Sequence, residues 1–259
     1  MSDAPDEQPD DTEDGHVLHP HGALATCAVV IVAAGDSTRM QLEDGVRKPR
    51  LLLEEVPILE RTCAIFQGID EVKEIILVAH EEDIRTFEQW TIDSPSLAKV
   101  RAIIPGGKER AESVRNGVSW CSFDVDVIAV HDGARPLCDP EVVRQAFRLA
   151  HAKGAALVAA PILDTIKSSE DGGVTANSTL DRSRLWAAQT PQVFRAKRLR
   201  ELVQLAADES FSPTDDAALW EKYEGPIPIV RSTASNLKIT TPFDLALATA
   251  LLRVDPANL

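Results

Sequence analysis

The stretch VDVIAVHDGARP, residues 125–136, decides the fold class. Its apolar, β-branched part predicts a buried strand over Val125–Val130. That strand runs directly towards Asp132, a glycine and Arg135. Because ligands of α/β sheets bind beyond the carboxyl ends of the strands, this order predicts a charged functional loop at the edge of a sheet.

Two other loops also follow apolar runs. Residues 33–40 read AAGDSTRM after a predicted strand at Ala25–Ala33, and residues 106–114 read GGKERAESV after a predicted strand at Val100–Ile104. Small residues let the backbone approach a base or a phosphate, and successive N–H groups in such turns form an anion-binding concavity. Taken with the first loop, they suit a nucleoside triphosphate that is bound together with magnesium.

The rest of the chain alternates short β-branched runs with helical patterns. Further strands are predicted at 74–79 and 155–160, and helices at 58–67, 82–90, 111–120 and 140–152. Later segments predict helices at 196–207, 215–223 and 242–253, and strands at 227–230 and 236–239. The alternation predicts a Rossmann-like, doubly wound α/β sheet whose strands are mostly parallel and are joined by crossover helices.

Residues 162–185 interrupt this alternation. Asp171, Gly172 and Gly173 predict a turn that joins two short arms with little apolar content. An arm that cannot bury itself packs on something else, and a second subunit is a candidate. Residues 1–22 are rich in Asp, Glu and Pro and predict a disordered acidic tail. We therefore expect a single domain over residues 23–259 with a protruding β-arm.

Composition argues against several classes of protein. The net charge is −14, from 41 acids and 27 bases, and the first fifteen residues hold seven of the acids, which leaves 34 against 27, or −7. An acidic surface argues against a nucleic acid partner. The longest largely apolar stretch, residues 24–34, is about half of the ~20 residues that a membrane-spanning helix needs. Four cysteines without a C-x-x-C pair suit a reducing cytoplasm.

Individual residues in the loops have a chemical interpretation and a plainer one. Asp132 is a candidate magnesium ligand, because Mg²⁺ accepts one or two carboxylates plus phosphate oxygens and water. An isolated Asp in such a turn is more often a capping residue. Arg39 and Lys48 place two cations near the anion-binding turn, although each alone reads as a solvated base. His131 is interpreted as a packed, hydrogen-bonded histidine rather than a catalytic base.

The order of the motifs resembles that of a known family. The motifs are A-A-G-x-x-x-R-M, Lys48, G-G-x-E-R-x-x-S-V, H-D-G-A-R-P, A-P-I-L-D-T-I-K (160–167), D-R (181–182), Q-T-P-Q (189–192), T-D-D-A (214–217) and N-L-K-I-T (236–240). They are similar to the 2-C-methyl-D-erythritol 4-phosphate cytidylyltransferases of the non-mevalonate isoprenoid pathway, over about residues 25–253. The resemblance implies CMP transfer from CTP to methylerythritol phosphate, Mg²⁺ as the cofactor, and a homodimer.

The resemblance also implies roles for individual residues. The catalytic positions are Arg39, Lys48, Arg182 and Lys238. The nucleotide-binding positions are Ala33, Ala34, Gly35, Gly107, Lys108 and Ser113. The substrate-binding positions are Gly133, Arg135, Thr165, Arg182, Thr190, Thr214 and Lys238, and Asp132 would hold the metal. In the family the arm is exchanged between subunits, so Arg182 would enter the neighbouring site.

The chain departs from the family pattern in three places. Ser37 stands where glycine is usual, and Ser235 stands where an acid is common. The run Arg47-Lys48-Pro49-Arg50 is unusual, and counting without gaps assigns the family lysine to Lys48, whereas a shift of two residues would assign it to Arg50. Two alternative functions stay open, namely transfer to ribitol 5-phosphate and a catalytically silent nucleotide-binding protein.

Overall fold

The computed structural model describes residues 25–35, 40 and 47–254. Its strands are β1 (Cys27–Ala33), β2 (Leu52–Leu53), β3 (Val56–Pro57), β4 (Val72–Ala79), β5 (Val100–Pro105), β6 (Val127–Asp132), β7 (Ala155–Pro161), β8 (Lys167–Ser168), β9 (Ser178–Thr179), β10 (Trp186–Arg195) and β11 (Ile229–Arg231). Its α-helices are α1 (Ile58–Gln67), α2 (Ile84–Asp93), α3 (Arg110–Trp120), α4 (Pro140–Lys153), α5 (Ala196–Asp208), α6 (Asp216–Tyr223) and α7 (Pro242–Leu252).

The central sheet has seven strands in the order β11-β7-β10-β6-β1-β4-β5. β1 pairs in parallel with β4 and β6, β4 with β5, and β7 with β11. β10 is antiparallel to both of its neighbours, β6 and β7. The predicted mostly parallel, doubly wound sheet is therefore confirmed.

The side chains of β1 show how the sheet is covered on both faces. Cys27, Val29 and Ile31 belong to an apolar cluster that includes residues of α1, α2 and α4. Ala28 and Val30 belong to a second cluster, with residues of α3, α5 and α6. Because neighbouring residues of a strand point to opposite faces, one continuous apolar run supplies two cores. This double burial holds the carboxyl ends of the central strands in fixed positions.

Helix boundaries follow local signals in the sequence. α4 begins where the Asp139 side chain accepts a hydrogen bond from the Glu141 N–H, with Pro140 in the first turn. It ends at Lys153, and the capping residue that follows is Gly154, whose φ of 100° favours glycine. α1 has the predicted bounds, whereas α2 starts two residues later than predicted.

One predicted strand was wrong, and one observed strand was not predicted. The predicted strand 236–239 does not form, and that segment is held instead by side chains and by one bond from the Ile239 N–H to the Ala134 carbonyl. The long strand β10 was missed because Gln189, Thr190, Pro191 and Gln192 break the apolar pattern. Its pairing with β7 shifts register between Ala188 and Gln192, as a proline that cannot donate to the ladder requires.

The segment 162–185 contains the predicted turn between two short strands. β8 and β9 pair in an antiparallel hairpin, and Asp171 at its tip accepts hydrogen bonds from the N–H groups of Val174 and Thr175. Leu163 and Val174 expose at least three quarters of their surface. The predicted disordered tail, residues 1–22, lies outside the described residues. Within the described part of the chain, no helix is both long and apolar enough to span a bilayer.

Candidate active site

A cleft of about 730 Å³ opens at the carboxyl ends of β1, β4, β5 and β6. This is the edge at which a parallel sheet offers its ligand site. Four basic and four acidic side chains contribute to the wall among the described residues. The lining residues are Val32, Ala33, Ala34, Gly35, Lys48, Pro49, Ala79, His80, Glu81, Gly106, Gly107, Lys108, Glu109, Arg110, Glu112, Ser113, Asp132, Gly133, Ala134 and Lys238.

The glycine loop after β5 is tied to the start of α3. The Gly107 N–H donates to the Ser113 hydroxyl at 3.0 Å, and the Lys108 N–H donates to the Glu112 carboxylate at 2.8 Å. A Cβ atom on Gly106 would collide with Ala34 of the β1 loop, so glycine permits the two loops to touch. The backbone N–H groups at 107 and 108 thus already bind an oxygen atom each, as an anion-binding turn does.

Asp132 is the centre of charge in this cleft. It is buried at the end of β6, and Lys238 Nζ lies 2.9 Å from its Oδ2 atom. Arg135 Nε is 3.4 Å from Oδ2, and Arg110 Nε is 3.6 Å from Oδ1. Burial alone would raise the pKa of this carboxyl, but the charges of Lys238, Arg110 and Arg135 outweigh burial and hold the pKa well below its usual range. Asp132 is therefore an anion at neutral pH.

His131 lies behind Asp132 and supports it. The ring is fully buried, contacts Phe66 edge-on, and has Nε2 at 3.2 Å from the Arg135 carbonyl. Because a carbonyl only accepts, Nε2 carries the proton and Nδ1 accepts from the Thr190 hydroxyl at 3.1 Å. The same hydroxyl accepts the Asp132 N–H at 3.0 Å. Burial lowers the pKa of His131 to about 4, so the ring is neutral and acts as packing.

A buried network fixes the segment that carries Lys238. Arg135 donates from Nη1 to the Asn236 carbonyl at 2.6 Å. The Asn236 side-chain amide donates to Gln189 Oε1 and to the Thr190 carbonyl, both at 3.0 Å. Arg135 and Thr190 therefore lie in the second layer of the site, where they hold Lys238 against Asp132 rather than line the cleft.

Arg110 lines the cleft and Asp216 binds it from behind, and the sequence alone assigns no role to either residue. Arg110 Nη2 binds Asp216 Oδ2 at 2.8 Å while its Nε faces Asp132. Burial opposes the charged form of both, but the paired carboxylates raise the pKa of Arg110. Both residues stood within quoted motifs, G-G-x-E-R and T-D-D-A, but a motif alone does not say that two segments 106 residues apart meet.

The structure distinguishes the two candidates for the loop lysine. Lys48 lines the cleft, and Arg50 does not, although both are described. Arg50 instead faces Asp83, with Nη1 at 3.6 Å from Oδ1. The charge of Lys48 also acts on Asp244. Burial raises the pKa of this carboxyl, but hydrogen bonds from Thr240 and Thr241, together with the charge of Lys48, outweigh burial and lower the pKa. This arrangement favours Lys48 over Arg50 at the site.

The arm residues do not reach this cleft within one chain. Thr165 and Arg182 are exposed on the arm, where the Arg182 guanidinium donates to the Leu163 carbonyl. Thr214 is exposed just before α6, and it too does not line the cleft. Arg39 and Ser37 lie outside the described residues. The structure thus gathers Ala33, Ala34, Gly35, Lys48, Gly107, Lys108, Ser113, Asp132, Gly133 and Lys238 in one place.

The donor chemistry at Asp132 fits one kind of metal site. No group of three or more metal-ligating side chains occurs in the ranges that the structure describes. One ionised carboxylate, with phosphate oxygens and water supplying the remaining ligands, is a set that Mg²⁺ accepts. Asp132 therefore suits a magnesium ion that is held largely by a triphosphate.

The sheet topology and this cleft define an α/β protein of the nucleotidyltransferase type. A profile of the 2-C-methyl-D-erythritol 4-phosphate cytidylyltransferase family matches residues 27–254. The chain therefore belongs to that family.

Relatives and solved structures are similar to this chain over nearly their whole length. The protein of Syntrophotalea carbinolica is 40% identical over 225 residues, 86% of this chain and 95% of its own, and that of Syntrophus aciditrophicus is 36% identical over 233 residues, 89% and 98%. The structure of the 4-diphosphocytidyl-2C-methyl-D-erythritol synthase of Anaerococcus prevotii has a TM-score of 0.77 at 25% identity, covering 89% of this chain and 97% of its own. The cytidylyltransferase structure from Thermus thermophilus has a TM-score of 0.71 at 28% identity, covering 88% and 100%.

Proposed function

We propose that the chain transfers CMP from CTP to 2-C-methyl-D-erythritol 4-phosphate, giving 4-diphosphocytidyl-2-C-methyl-D-erythritol and pyrophosphate. The observation that carries this proposal is the meeting of Lys48, Lys238 and Asp132 with two small-residue loops in one cleft. Family membership adds the identity of both substrates. The alternatives, ribitol 5-phosphate as acceptor or a silent binder, are not favoured by the relatives' names.

The reaction needs positioning and charge neutralisation rather than a protein nucleophile. A phosphate oxygen of the acceptor attacks the α-phosphorus of CTP, and the bond from that phosphorus to the bridging β-oxygen breaks as pyrophosphate leaves. Negative charge develops on the oxygens around the α-phosphorus, so fixed cations at that place lower the barrier. We propose that Lys48 and Lys238 are two of these cations. Arg39, which lies outside the described residues, is the proposed third.

The two small-residue loops are the proposed nucleotide clamp. Ala33, Ala34 and Gly35 leave room for a base or phosphate at the end of β1, and Gly107, Lys108 and Ser113 face them from the end of β5. The backbone N–H groups of 107 and 108 already have oxygen partners, so an incoming ligand oxygen would replace Glu112 at Lys108. Because the loop is otherwise fixed, this one exchange of partner is the reorganisation that binding a ligand oxygen needs there.

Magnesium is the proposed cofactor, and Asp132 would hold it. When bound, the ion would neutralise phosphate charge. The mixed wall of the cleft supports this proposal, because a triphosphate that brings its own cation tolerates acidic neighbours better than a bare one. The chain's own part is to keep Asp132 ionised and fixed, which Lys238, Arg110 and Arg135 do.

A homodimer is the proposed assembly. The exposed arm carries Arg182 and Thr165, which the resemblance assigns to the acceptor phosphate, and neither lines the cleft of its own chain. Exchange of arms would bring Arg182 of the partner subunit to the acceptor. A cytoplasmic location is proposed as well, because four buried free thiols suit a reducing compartment.

One assay tests the function directly. Purified protein is incubated with MgCl₂, each of the four nucleoside triphosphates, and either methylerythritol phosphate or ribitol 5-phosphate, and pyrophosphate release is followed. We expect release only with CTP and methylerythritol phosphate. Release with ribitol 5-phosphate would instead identify the sister activity, and no release with any pair would contradict catalysis.

A further inference from the structure

The unusual run Arg47-Lys48-Pro49-Arg50 forms a rigid turn. The Arg50 N–H donates to the Arg47 carbonyl and the Leu51 N–H to the Lys48 carbonyl, each at 3.0 Å, and Pro49 is buried. In a 3-10 turn, side chains three residues apart lie on the same side. The arginines at 47 and 50 therefore share a side, with Lys48 between them along the chain.

Both arginines face one buried carboxylate, that of Asp83. Arg47 Nε lies 3.5 Å from its Oδ2 atom, and Arg50 Nη1 lies 3.6 Å from its Oδ1 atom. Asp83 is 1% exposed, and neither oxygen has a hydrogen-bond partner within the described part of the chain. Arg47 Nη2 also binds Glu82 Oε2 at 2.5 Å. Burial raises the pKa of the Asp83 carboxyl, and the charges of Arg47 and Arg50 oppose that rise ahead of His80, so the two guanidiniums are its main counter-charges.

The carboxylate belongs to a segment that itself borders the cleft. β4 ends at Ala79, and His80 and Glu81 line the cleft two to three residues before Asp83. The 3-10 turn Glu81–Asp83 then leads directly into α2. The ion pairs thus join the Lys48 segment to the end of a buried strand, which is more rigid than a loop.

We propose that Asp83 is a positioning residue for Lys48, which it holds at the cleft through Arg47 and Arg50. The inference rests on the proposed function, in which Lys48 neutralises charge at the α-phosphorus. Asp83 itself does not line the cleft, so it acts on the reaction through other residues, and the ion pairs with Arg47 and Arg50 lead to Lys48. Arg47 and Arg50, which make this run unusual, are then the residues that link Lys48 to Asp83.

A double-mutant cycle tests the proposal. Asp83→Asn removes the charge at nearly constant shape, and we expect kcat to fall roughly 10-fold with KM for CTP within about 2-fold, since only transition-state neutralisation is lost. In the Lys48→Ala background the same change should alter kcat by less than about 2-fold, because two residues that act as a unit are not additive. Equal losses in both backgrounds would show a general structural role and overturn the proposal.

Arg50→Gln provides a second variant at a partly exposed position, which is expected to fold normally. We expect a kcat loss of about 3-fold, smaller than for Asp83→Asn because Arg47 still compensates Asp83, and partial recovery in Arg50→Lys. Arg148→Gln is the matched control, since Arg148 pairs with Glu141 at 2.6 Å on the exposed side of α4. Thermal melting is measured for every variant. A kcat loss that Arg148→Gln shares would contradict a specific role of the Asp83 ion pairs.

A readout without turnover separates this inference from the function. The rate at which an amine-reactive anhydride labels Lys48 is measured by peptide mass spectrometry, with exposed Lys153 as the internal reference. Asp83→Asn should change the labelling rate of Lys48 several-fold and leave that of Lys153 unchanged. If the wild type does not turn over, the proposed function is contradicted, while the labelling rate still tests whether Asp83 positions Lys48. An unchanged labelling rate of Lys48 in Asp83→Asn overturns the positioning role of Asp83, whatever the activity.

Discussion

The sheet edge and the arm hold their functional side chains in opposite ways. At the sheet edge, Asp132 is buried and has three cations within 3.6 Å, and the residues that hold those cations are themselves bonded in the interior. On the arm, Arg182 is exposed, and its guanidinium donates to the carbonyl of Leu163, 19 residues earlier in the same arm.

This difference separates a preformed half-site from a conditional one. The nucleotide side is fixed by the same burial that stabilises the sheet, so it is organised before any ligand arrives. The arm makes its bonds within itself, and Leu163 and Val174 stay exposed. We infer that the acceptor side of the site is completed by a second chain, and the following predictions test each side of this contrast.

The largest expected effect is at Asp132. Asp132→Asn keeps the shape but removes the charge that Lys238, Arg110 and Arg135 surround, so those cations lose their common anchor and the proposed magnesium ion would lose its ligand. We expect kcat/KM to fall on the order of 10³-fold, with a higher Mg²⁺ requirement, measured by pyrophosphate release. Asp93→Asn, at an exposed position on α2, is the control. Near-normal turnover of Asp132→Asn would remove this carboxylate from the centre of the site.

Lys48→Ala is expected to have the next largest effect. Loss of one cation at the developing charge should lower kcat by about 10²-fold with a smaller change in KM. Lys153→Ala on the exposed end of α4 is the control. A crippled Arg50→Ala beside a near-normal Lys48→Ala would mean that Arg50 is the family cation after all.

Arg182→Ala tests the conditional half. We expect roughly a 10-fold loss, since one exposed cation on the acceptor is removed while the nucleotide side stays intact. The loss should appear mainly in KM for the acceptor phosphate rather than for CTP. Steady-state titration of each substrate at saturating levels of the other gives the two values.

Mixing the two impaired variants shows whether the arm is exchanged. In a dimer of one Lys48→Ala chain and one Arg182→Ala chain, one site combines an intact Lys48 with an intact Arg182 of the partner subunit. Random re-association of equal amounts should therefore restore about one quarter of the wild-type sites. Activity that equals the average of the two variants would contradict exchange and place each arm at its own site.

The contrast also explains how much the sequence could predict. β1, β6 and the loops after them follow from apolar runs and turn residues, because local patterns report burial and turning directly. β10 and the segment 236–239 were misjudged, because their structure depends on polar side chains such as Gln189 and Asn236 that meet partners far along the chain. The pairing of Arg110 with Asp216 was invisible for the same reason.

The roles of Arg135 and Thr190 show a further limit of sequence reasoning. The resemblance places both at the acceptor, which stays a prediction, and the structure shows both buried behind Asp132, with their polar groups bonded to Asn236 and His131. A motif identifies that a residue matters without saying whether it touches a ligand or holds another residue that does.

The smallest expected effect on turnover is at His131, within this second layer. His131→Gln retains a donor for the Arg135 carbonyl and an acceptor for the Thr190 hydroxyl, so kcat at pH 7.5 should stay within about 3-fold of wild type. Stability should respond differently to acid. Burial lowers the pKa of His131 to about 4, against about 6.5 for an unfolded histidine. Between those values the unfolded chain binds a proton that the folded chain does not.

Acidification through that window therefore favours unfolding, and the stability that neutral His131 allows is complete above about pH 6.5 and declines as the pH falls towards 4. We expect the wild type to lose on the order of 2–3 kcal/mol of unfolding free energy between pH 7 and pH 4.5 through this group. In urea titrations at the two pH values, the unfolding free energy of His131→Gln should fall by that much less than the unfolding free energy of the wild type. Asp132 does not contribute between pH 7 and pH 4.5. Because its pKa is lowered in the folded state, the stability that it adds is lost only below the pKa of an unfolded aspartate, about 4. Equal pH slopes in the two proteins would mean that the ring takes up its proton at the same pH in the folded and the unfolded chain, so that below about pH 6.5 the preformed half of the site would carry a fourth positive charge beside Asp132.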